Sequence, residues 1–341
     1  MLNFDVPFSM SILVAAFITA FVIAFLSVPV LIKYSIKRNL GDLPDLRKIH
    51  TKVTPSMGGI AMFFGFALSI LIWIDFQYWN DIKFIVVGLF VIFFIGLRDD
   101  LVPLTPSVKL MGQVLVGMMI VLSMDLRIHT MEGMLGIHEL PVVVSYLVTI
   151  FIIIVITNSF NLIDGIDGLA GTLASVSLFA FSAWFYLNGH TLMAMLGIAM
   201  LGGMIAFLIF NWEPAKVFMG DTGALLIGMM LSVQAVQFIT LNQQLPIGSN
   251  YHFVGGAATA ICFILVPLLD TLRIIIVRLA TGHSPFTPDK NHIHHNLIRL
   301  GLSHSRSSLV LGLIQVVSIL LAIRFRELSN GLILIWLGVF T

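Results

Sequence analysis

Charge is scarce in this sequence: 18 Lys and Arg and 17 Asp and Glu among 341 residues, or 10%. Soluble domains carry about a quarter charged residues. So little charge cannot cover a water-exposed surface, and a soluble protein is excluded. The formal net charge of +1 leaves no basic excess, which argues against a nucleic-acid partner. With one cysteine, Cys262, no intramolecular disulfide can form; it sits in an apolar run and reads as a small core residue. Neither a P-loop nor a dinucleotide fingerprint is present. What is abundant is apolar: 58% hydrophobic residues, including 27 Phe and 17 Met, and a mean hydropathy of +1.03. These features exclude disorder. They imply an all-α integral membrane protein, long enough for about ten spans of roughly 20 residues.

Apolar runs predict a polytopic bundle spanning 10–32, 57–75, 82–97, 108–124, 142–157, 169–187, 191–210, 222–240, 253–276 and 308–323. Each is apolar nearly all round, as lipid-buried helices must be. The first run is expected to remain as a span, because MLNFDVPFSM carries no positive charge and no small-residue cleavage site closes the run. The 11 residues after Asn330 are too short to cross upright; they form either a truncated eleventh helix or an interfacial segment. No soluble domain or low-complexity linker interrupts residues 1–341, which read as one domain. With the N-terminus outside, 14 of the 18 Lys and Arg fall on inner segments; only Lys83, Arg127, Arg324 and Arg326 fall outside. The positive-inside rule therefore orients the chain.

The inner segments also hold dense polar clusters beside Gly and Pro, whereas the outer acids are scattered. The second inner loop carries Arg98-Asp99-Asp100, Pro103, Pro106 and Lys109. Adjacent carboxylates there are either helix-end charges in an exposed turn or a site for a cation. The third reads Asn158-Ser-Phe-Asn161-Leu-Ile-Asp164-Gly165-Ile-Asp167-Gly168. Three helical steps fall about 60° short of a turn, so Asn158, Asn161 and Asp164 share a face if the segment is helical. A carboxylate at membrane depth costs roughly 2.5–3.5 kcal/mol on insertion scales, which disfavours a purely structural role. The fourth runs from Phe210 and Asn211 through Phe218 to Asp221; Asp221 is an N-cap, a ligand or both. The fifth holds His292, His294, His295, Arg299, His304 and Arg306; its spacing fits no zinc motif and suits a phosphate-rich ligand. The first adds Arg47, Lys48 and His50, as lipid anchors or ligand contacts. Five carboxylates on one face would repel a phosphate substrate unless a divalent cation joined them. Oxygen ligands favour Mg²⁺, with Mn²⁺ also suited. These residues predict metal-dependent phosphate chemistry at the inner membrane face.

Five motifs in order, DLPDLRKIH, GLRDD, NSFNLIDGIDGLAG, FNWEPAKVFMGDTG and PDKNHIHH, resemble the polyprenyl-phosphate N-acetylhexosamine-1-phosphate transferases. The RKIH and HIHH forms are closer to the WecA and TagO branch than to MraY. The resemblance implies a bacterial inner-membrane enzyme with a cytoplasmic site. Its substrates would be a UDP-N-acetylhexosamine, with GlcNAc favoured, and a polyprenyl phosphate, and it would release UMP. A homodimer is compatible with it. Asp221 would ligate Mg²⁺, with Asn161 as second ligand. Phe218 would stack on uracil beside Gly165 and Asp167. Asp99, Asp100 and Asp164 would act at the reacting phosphates, with Lys109 as counter-charge to the lipid phosphate. His292, His294, His295 and Arg299 would hold the diphosphate and sugar. Arg47, Lys48, His50, Asn158 and Asn211 are further candidates. Both direct attack and a covalent carboxyl-phosphate intermediate are open chemically. A secondary transporter with acidic ion sites is the alternative from another class. The spaced aspartates expected of a CDP-alcohol phosphotransferase are missing after Asp164.

Overall fold

The computed structural model describes residues 8–38, 54–282 and 292–340. Arg47, Lys48 and His50 lie outside the described residues. Thirteen α-helices follow in order: α1 (Met10–Lys37), α2 (Gly58–Trp73), α3 (Trp79–Leu101), α4 (Pro106–Met124), α5 (Val142–Ile163), α6 (Leu169–Leu187), α7 (Thr191–Asn211), α8 (Gly220–Gln244), α9 (Gly256–Phe263), α10 (Leu265–Ala280), α11 (Ile293–Arg299), α12 (His304–Arg324) and α13 (Asn330–Phe340). Among the described residues no strand forms beyond an isolated bridge between Thr130 and Glu139. Among the described residues, eight helices are long and apolar enough to cross a membrane, or nine if the bent α9–α10 pair counts as one span. α2 is apolar but has only 16 residues. The protein is a multi-pass, all-α membrane protein.

The ten apolar runs each become a helix or helix pair, with three informative differences. α3 continues to Leu101 and α5 to Ile163, so Asp99, Asp100, Asn158 and Asn161 lie on helices, not in loops. α13 spans 11 residues, about 16 Å at helical rise, too short to cross alone. It packs beside α9 and α12 through Ala258, Cys262, Ala322, Ile333 and Leu337. The expected span 253–276 is not straight: it breaks at Ile264, and α9 and α10 meet at 92°. Pro267 lies in the first turn of α10, where a missing N–H is tolerated. In a membrane the groups freed by the break need partners. Gln315 supplies two: its Oε1 accepts from Val266 N (3.0 Å), and its Nε2 donates to Cys262 O (2.9 Å). Ser318 and Ser177 donate to Cys262 O and Phe263 O.

α8 is the axis of the bundle. Its most apolar 18 residues are entirely buried, enclosed by α2, α3, α5, α6 and α9. Close helix approach in lipid needs small residues, and two glycines meet the start of α8. A Cβ on Gly59 would fall 2.2 Å from Gly223 N, and one on Gly96 would fall 2.5 Å from Thr222 Cα. These contacts bring the end of α3 and the start of α2 against the first turn of α8. The end of α5 and the start of α4 reach the same end of the bundle.

Candidate active site

Asp99 and Asp100 are adjacent on α3, so their side chains leave the helix about 100° apart. They find different partners. Asp100 Oδ1 accepts from Asp221 N (2.7 Å); its Oδ2 accepts from Thr222 N (3.0 Å) and Thr222 Oγ1 (2.5 Å). The first N–H groups of a helix lack intrahelical partners and favour negative charge. Asp100 therefore caps α8 from another helix. α8 begins at Gly220 with φ +71°, so Asp221 is a first-turn residue and not the N-cap. Asp99 faces the other way: it accepts from Leu104 N (2.6 Å) and pairs with Lys109. Lys109 Nζ also reaches Asp221 Oδ1 at 2.8 Å, joining α3, α4 and α8 through one ammonium.

Asn161 completes this arrangement, its amide donating to Asp221 Oδ1 (2.6 Å). Asn158, three residues back, turns away to exchange hydrogen bonds with Gln113 of α4. Asp164 ends α5 at its C-cap position, half-buried. Burial, followed by the charges of Asp221, Asp100 and Asp167, pushes its carboxyl up to about 7. Four aspartates thus crowd one end of the bundle around a single lysine.

A second group forms the floor beside this cluster. Asp167 is buried; its Oδ2 accepts from Ala215 N (3.0 Å) and its Oδ1 lies 3.4 Å from His304 Nδ1. Gly168 N donates to Asn211 Oδ1 (2.9 Å), and Asn211 Nδ2 donates to Val217 O (2.9 Å). Glu213 accepts from Ser305 N (2.7 Å), which holds its carboxyl below the usual range. These bonds join the α5–α6 turn, the α7–α8 loop and the start of α12. Phe218 is half-buried in that loop, and its backbone pairs with Pro55 O and Gly58 N. His292, His294 and His295 surround the start of α11; His294 is buried and packs against Gly165, next to Asp164. Burial, then the neighbouring His295 and His292, pushes the His294 imidazole down to about 3, so it is neutral. Arg299 is exposed in the last turn of α11.

Among the described residues, no three His, Cys, Asp or Glu side chains are arranged as a ready metal cage. Mg²⁺ does not require one, because it is usually held by one or two carboxylates, waters and substrate phosphates. The donors present fit that pattern: Asp221, Asp164 and the Asn161 amide are all oxygen-bearing. The raised Asp164 carboxyl marks a spot where positive charge is in deficit.

Several contributors escape a reading of sequence alone. Thr222 and Gln113 look like ordinary helix residues. Asp270, buried in α10, accepts from His292 and Ile293, yet sits inside an apolar run; a lone acid in such a run is its one visible signal.

Residues 82–239 match glycosyl transferase family 4. The chain is 33% identical over 334 residues, covering 96% of it and 87% of the relative, to a Bacillus subtilis (strain 168) protein named "Probable undecaprenyl-phosphate N-acetylglucosaminyl 1-phosphate transferase". It is 34% identical over 287 residues to an undecaprenyl-phosphate alpha-N-acetylglucosaminyl 1-phosphate transferase of Yersinia pestis, covering 82% of the chain and 74% of the relative. It is 32% identical over 288 residues to a decaprenyl-phosphate N-acetylglucosaminephosphotransferase of Mycolicibacterium smegmatis, covering 79% and 71%. The matched region takes in Asp99 and Asp100 at the end of α3, the α5–α6 turn and the start of α8. The chain belongs to glycosyl transferase family 4, among its polyprenyl-phosphate N-acetylglucosamine-1-phosphate transferases.

Proposed function

We propose that this protein transfers N-acetylglucosamine-1-phosphate from UDP-GlcNAc to a polyprenyl phosphate at the cytoplasmic face of a bacterial inner membrane, with Mg²⁺ as cofactor. The observation that carries the reading is the meeting of Asp100, Asp164, Asp221, Asn161 and Lys109 from four helices at one end of the bundle. Most of the described Lys and Arg, among them Lys33, Lys37, Arg38, Arg98, Lys109 and Lys216, lie on helix ends and loops at that end, which supports a cytoplasmic orientation. The relatives' names support a lipid-phosphate acceptor and a GlcNAc-phosphate donor.

In the reaction, an oxygen of the lipid phosphate attacks the β-phosphorus of UDP-GlcNAc. The bond from that phosphorus to the oxygen bridging the two phosphates breaks, and UMP leaves. Lys109 offers positive charge where the lipid phosphate meets the cluster. Asp99 keeps that ammonium in place. Asp100 fixes the first turn of α8 and thereby Asp221. Asp221, Asp164 and Asn161 would hold Mg²⁺, which when bound neutralises charge on the transferring diphosphate. A phosphate monoester with second pKa near 6 is already mostly dianionic at neutral pH, so a general base contributes little and direct attack is favoured. Phe218 offers a ring for uracil, and the α11 histidines are near enough to Asp164 to meet the sugar phosphate.

The test is purified protein in detergent with undecaprenyl phosphate, Mg²⁺ and a panel of UDP-sugars, reading UMP. Lipid-dependent UMP release with UDP-GlcNAc is expected. None with any UDP-N-acetylhexosamine overturns the reading. Labelled enzyme surviving denaturation after UDP-[¹⁴C]GlcNAc alone would instead establish a covalent route.

A further inference from the structure

We infer that Asp270 of α10 is a positioning residue that sets the tautomer and orientation of His292; its effect on turnover rests on the transferase reading above. Asp270 is 4% exposed in the apolar stretch LVPLLDTLRIIIV. A charge so placed is costly unless it is fully paired. Both oxygens are used. Oδ2 lies 2.7 Å from His292 Nδ1, while Oδ1 accepts from Ile293 N at 2.9 Å and from Arg273 Nη2 at 3.2 Å. One carboxylate thus holds both the backbone at the start of α11 and the ring beside it.

The chemistry of the pair has a direct consequence. An ionised carboxylate only accepts hydrogen bonds, so Nδ1 of His292 carries the proton. Nε2, which makes no hydrogen bond among the described residues, is the nitrogen left for a ligand. The His292 ring is stacked on His294, with centroids 5.5 Å apart and planes 13° apart. His294 in turn abuts Gly165, where a Cβ would come within 2.2 Å of its Nε2. Asp270, His292, His294 and Gly165 therefore form one packed line from the bent helix to the end of α5. The bend at Ile264 sets where α10, and so Asp270, meets α11. A carboxylate behind a histidine is a general device for fixing which ring nitrogen faces a ligand.

The experiment is a double-mutant cycle of Asp270→Asn and His292→Gln, read by lipid-dependent UMP release and by ¹⁵N-histidine spectra of the full chain in detergent. Asp270→Asn is nearly isosteric but removes the obligate acceptor. It is expected to lower kcat by about 10–100-fold, the range for lost partners of working histidines. UMP affinity should stay within twofold, because UMP lacks the sugar phosphate. In the His292→Gln background the same change is expected to cost less than threefold. The wild-type spectrum should show a protonated Nδ1 that is absent in His292→Gln and shifted in Asp270→Asn. A full-sized effect of Asp270→Asn without His292 would overturn the inference. So would a wild-type His292 whose Nδ1 is unprotonated, which needs no variant to fold. If wild-type protein shows no turnover at all, the transferase reading fails, and the spectra alone still decide the Asp270–His292 pairing.

Discussion

Asp100→Asn removes one carboxylate oxygen from beneath the first turn of α8. That oxygen pair accepts two backbone N–H groups and one hydroxyl. An amide retains one acceptor and turns an NH₂ toward donors, so at least one N–H of the first turn is left unpaired. An unsatisfied donor in a half-buried setting costs about 1–3 kcal/mol. Loss of the negative charge at the helix start adds about 0.3–1 kcal/mol. The expected destabilisation is therefore about 1.3–4 kcal/mol, or roughly 3–16 °C on the scale of domains of 150–250 residues. Thr222→Val removes only the hydroxyl donor and leaves both backbone donors on Asp100. Its cost should be about 1 kcal/mol, a smaller shift of the same sign. Thermal unfolding of the detergent-purified variants gives the stability series, and lipid-dependent UMP release gives activity. Activity should fall with stability in Asp100→Asn, because the first turn of α8 that carries Asp221 loses an anchored N–H, and should stay near wild type in Thr222→Val, where both backbone donors keep their acceptor. If Asp100→Asn abolishes turnover yet melts with the wild type, Asp100 acts on substrate and the capping argument fails.

Asp221→Asn should lose most turnover while the protein still folds and inserts; near-wild-type activity at saturating Mg²⁺ would remove Asp221 as a metal ligand. Phe218→Ala should weaken UMP binding by about 1–3 kcal/mol, the usual worth of one base-stacking ring, and unchanged affinity by calorimetry would refute stacking. Because burial and like charges push Asp164 up to about 7, Mg²⁺ must displace a proton below that pH. Apparent Mg²⁺ affinity should fall up to tenfold per pH unit below about 7 and level off above it; a flat profile from pH 5.5 to 8.5 counts against Asp164 as a ligand. In metal-free protein the same shift has the opposite consequence: the folded carboxyl is raised, so stability declines as pH rises from about 4 to 7. Gln315→Leu strands Val266 N at the α9–α10 break, while Cys262 O loses one donor and keeps Ser318; the change should cost about 1–3 kcal/mol for the unpaired N–H, and an unchanged melting temperature would show that Val266 N finds another partner.

The membrane class, the ten apolar runs and the gathering of acids at one end are all legible in the sequence, because hydropathy and motif order encode them directly. Asp221, Asn161 and Lys109 stand out for the same reason: a polar group beside a span is conspicuous. What the residues do for one another is not legible. The capping of α8 by Asp100 depends on Gly96 letting α3 touch Thr222, a contact between segments more than a hundred positions apart. The pairing of Asn158 with Gln113 needs the relative rotation of α4 and α5. The break at Ile264 lies one turn before Pro267, whose missing N–H leaves Phe263 O without its helical donor; the proline is visible in the sequence, but the 92° angle is not. The break is stabilised by Gln315 and Ser318, which look like minor polar interruptions of another helix. Asp270 is hidden for a similar reason, since its partner His292 lies 22 residues on, in the fifth inner loop.

The complete burial of the heart of α8 bears on how the enzyme meets its bilayer. A helix sheathed by protein on all sides touches no acyl chains, so its tilt and height are set by neighbouring helices and not by the hydrocarbon thickness around it. Thickness mismatch is taken up by the lipid-facing periphery, through small tilts there. Asp221, carried at the tip of that shielded rod, keeps its place relative to α3 and α5 as the surrounding lipid composition changes.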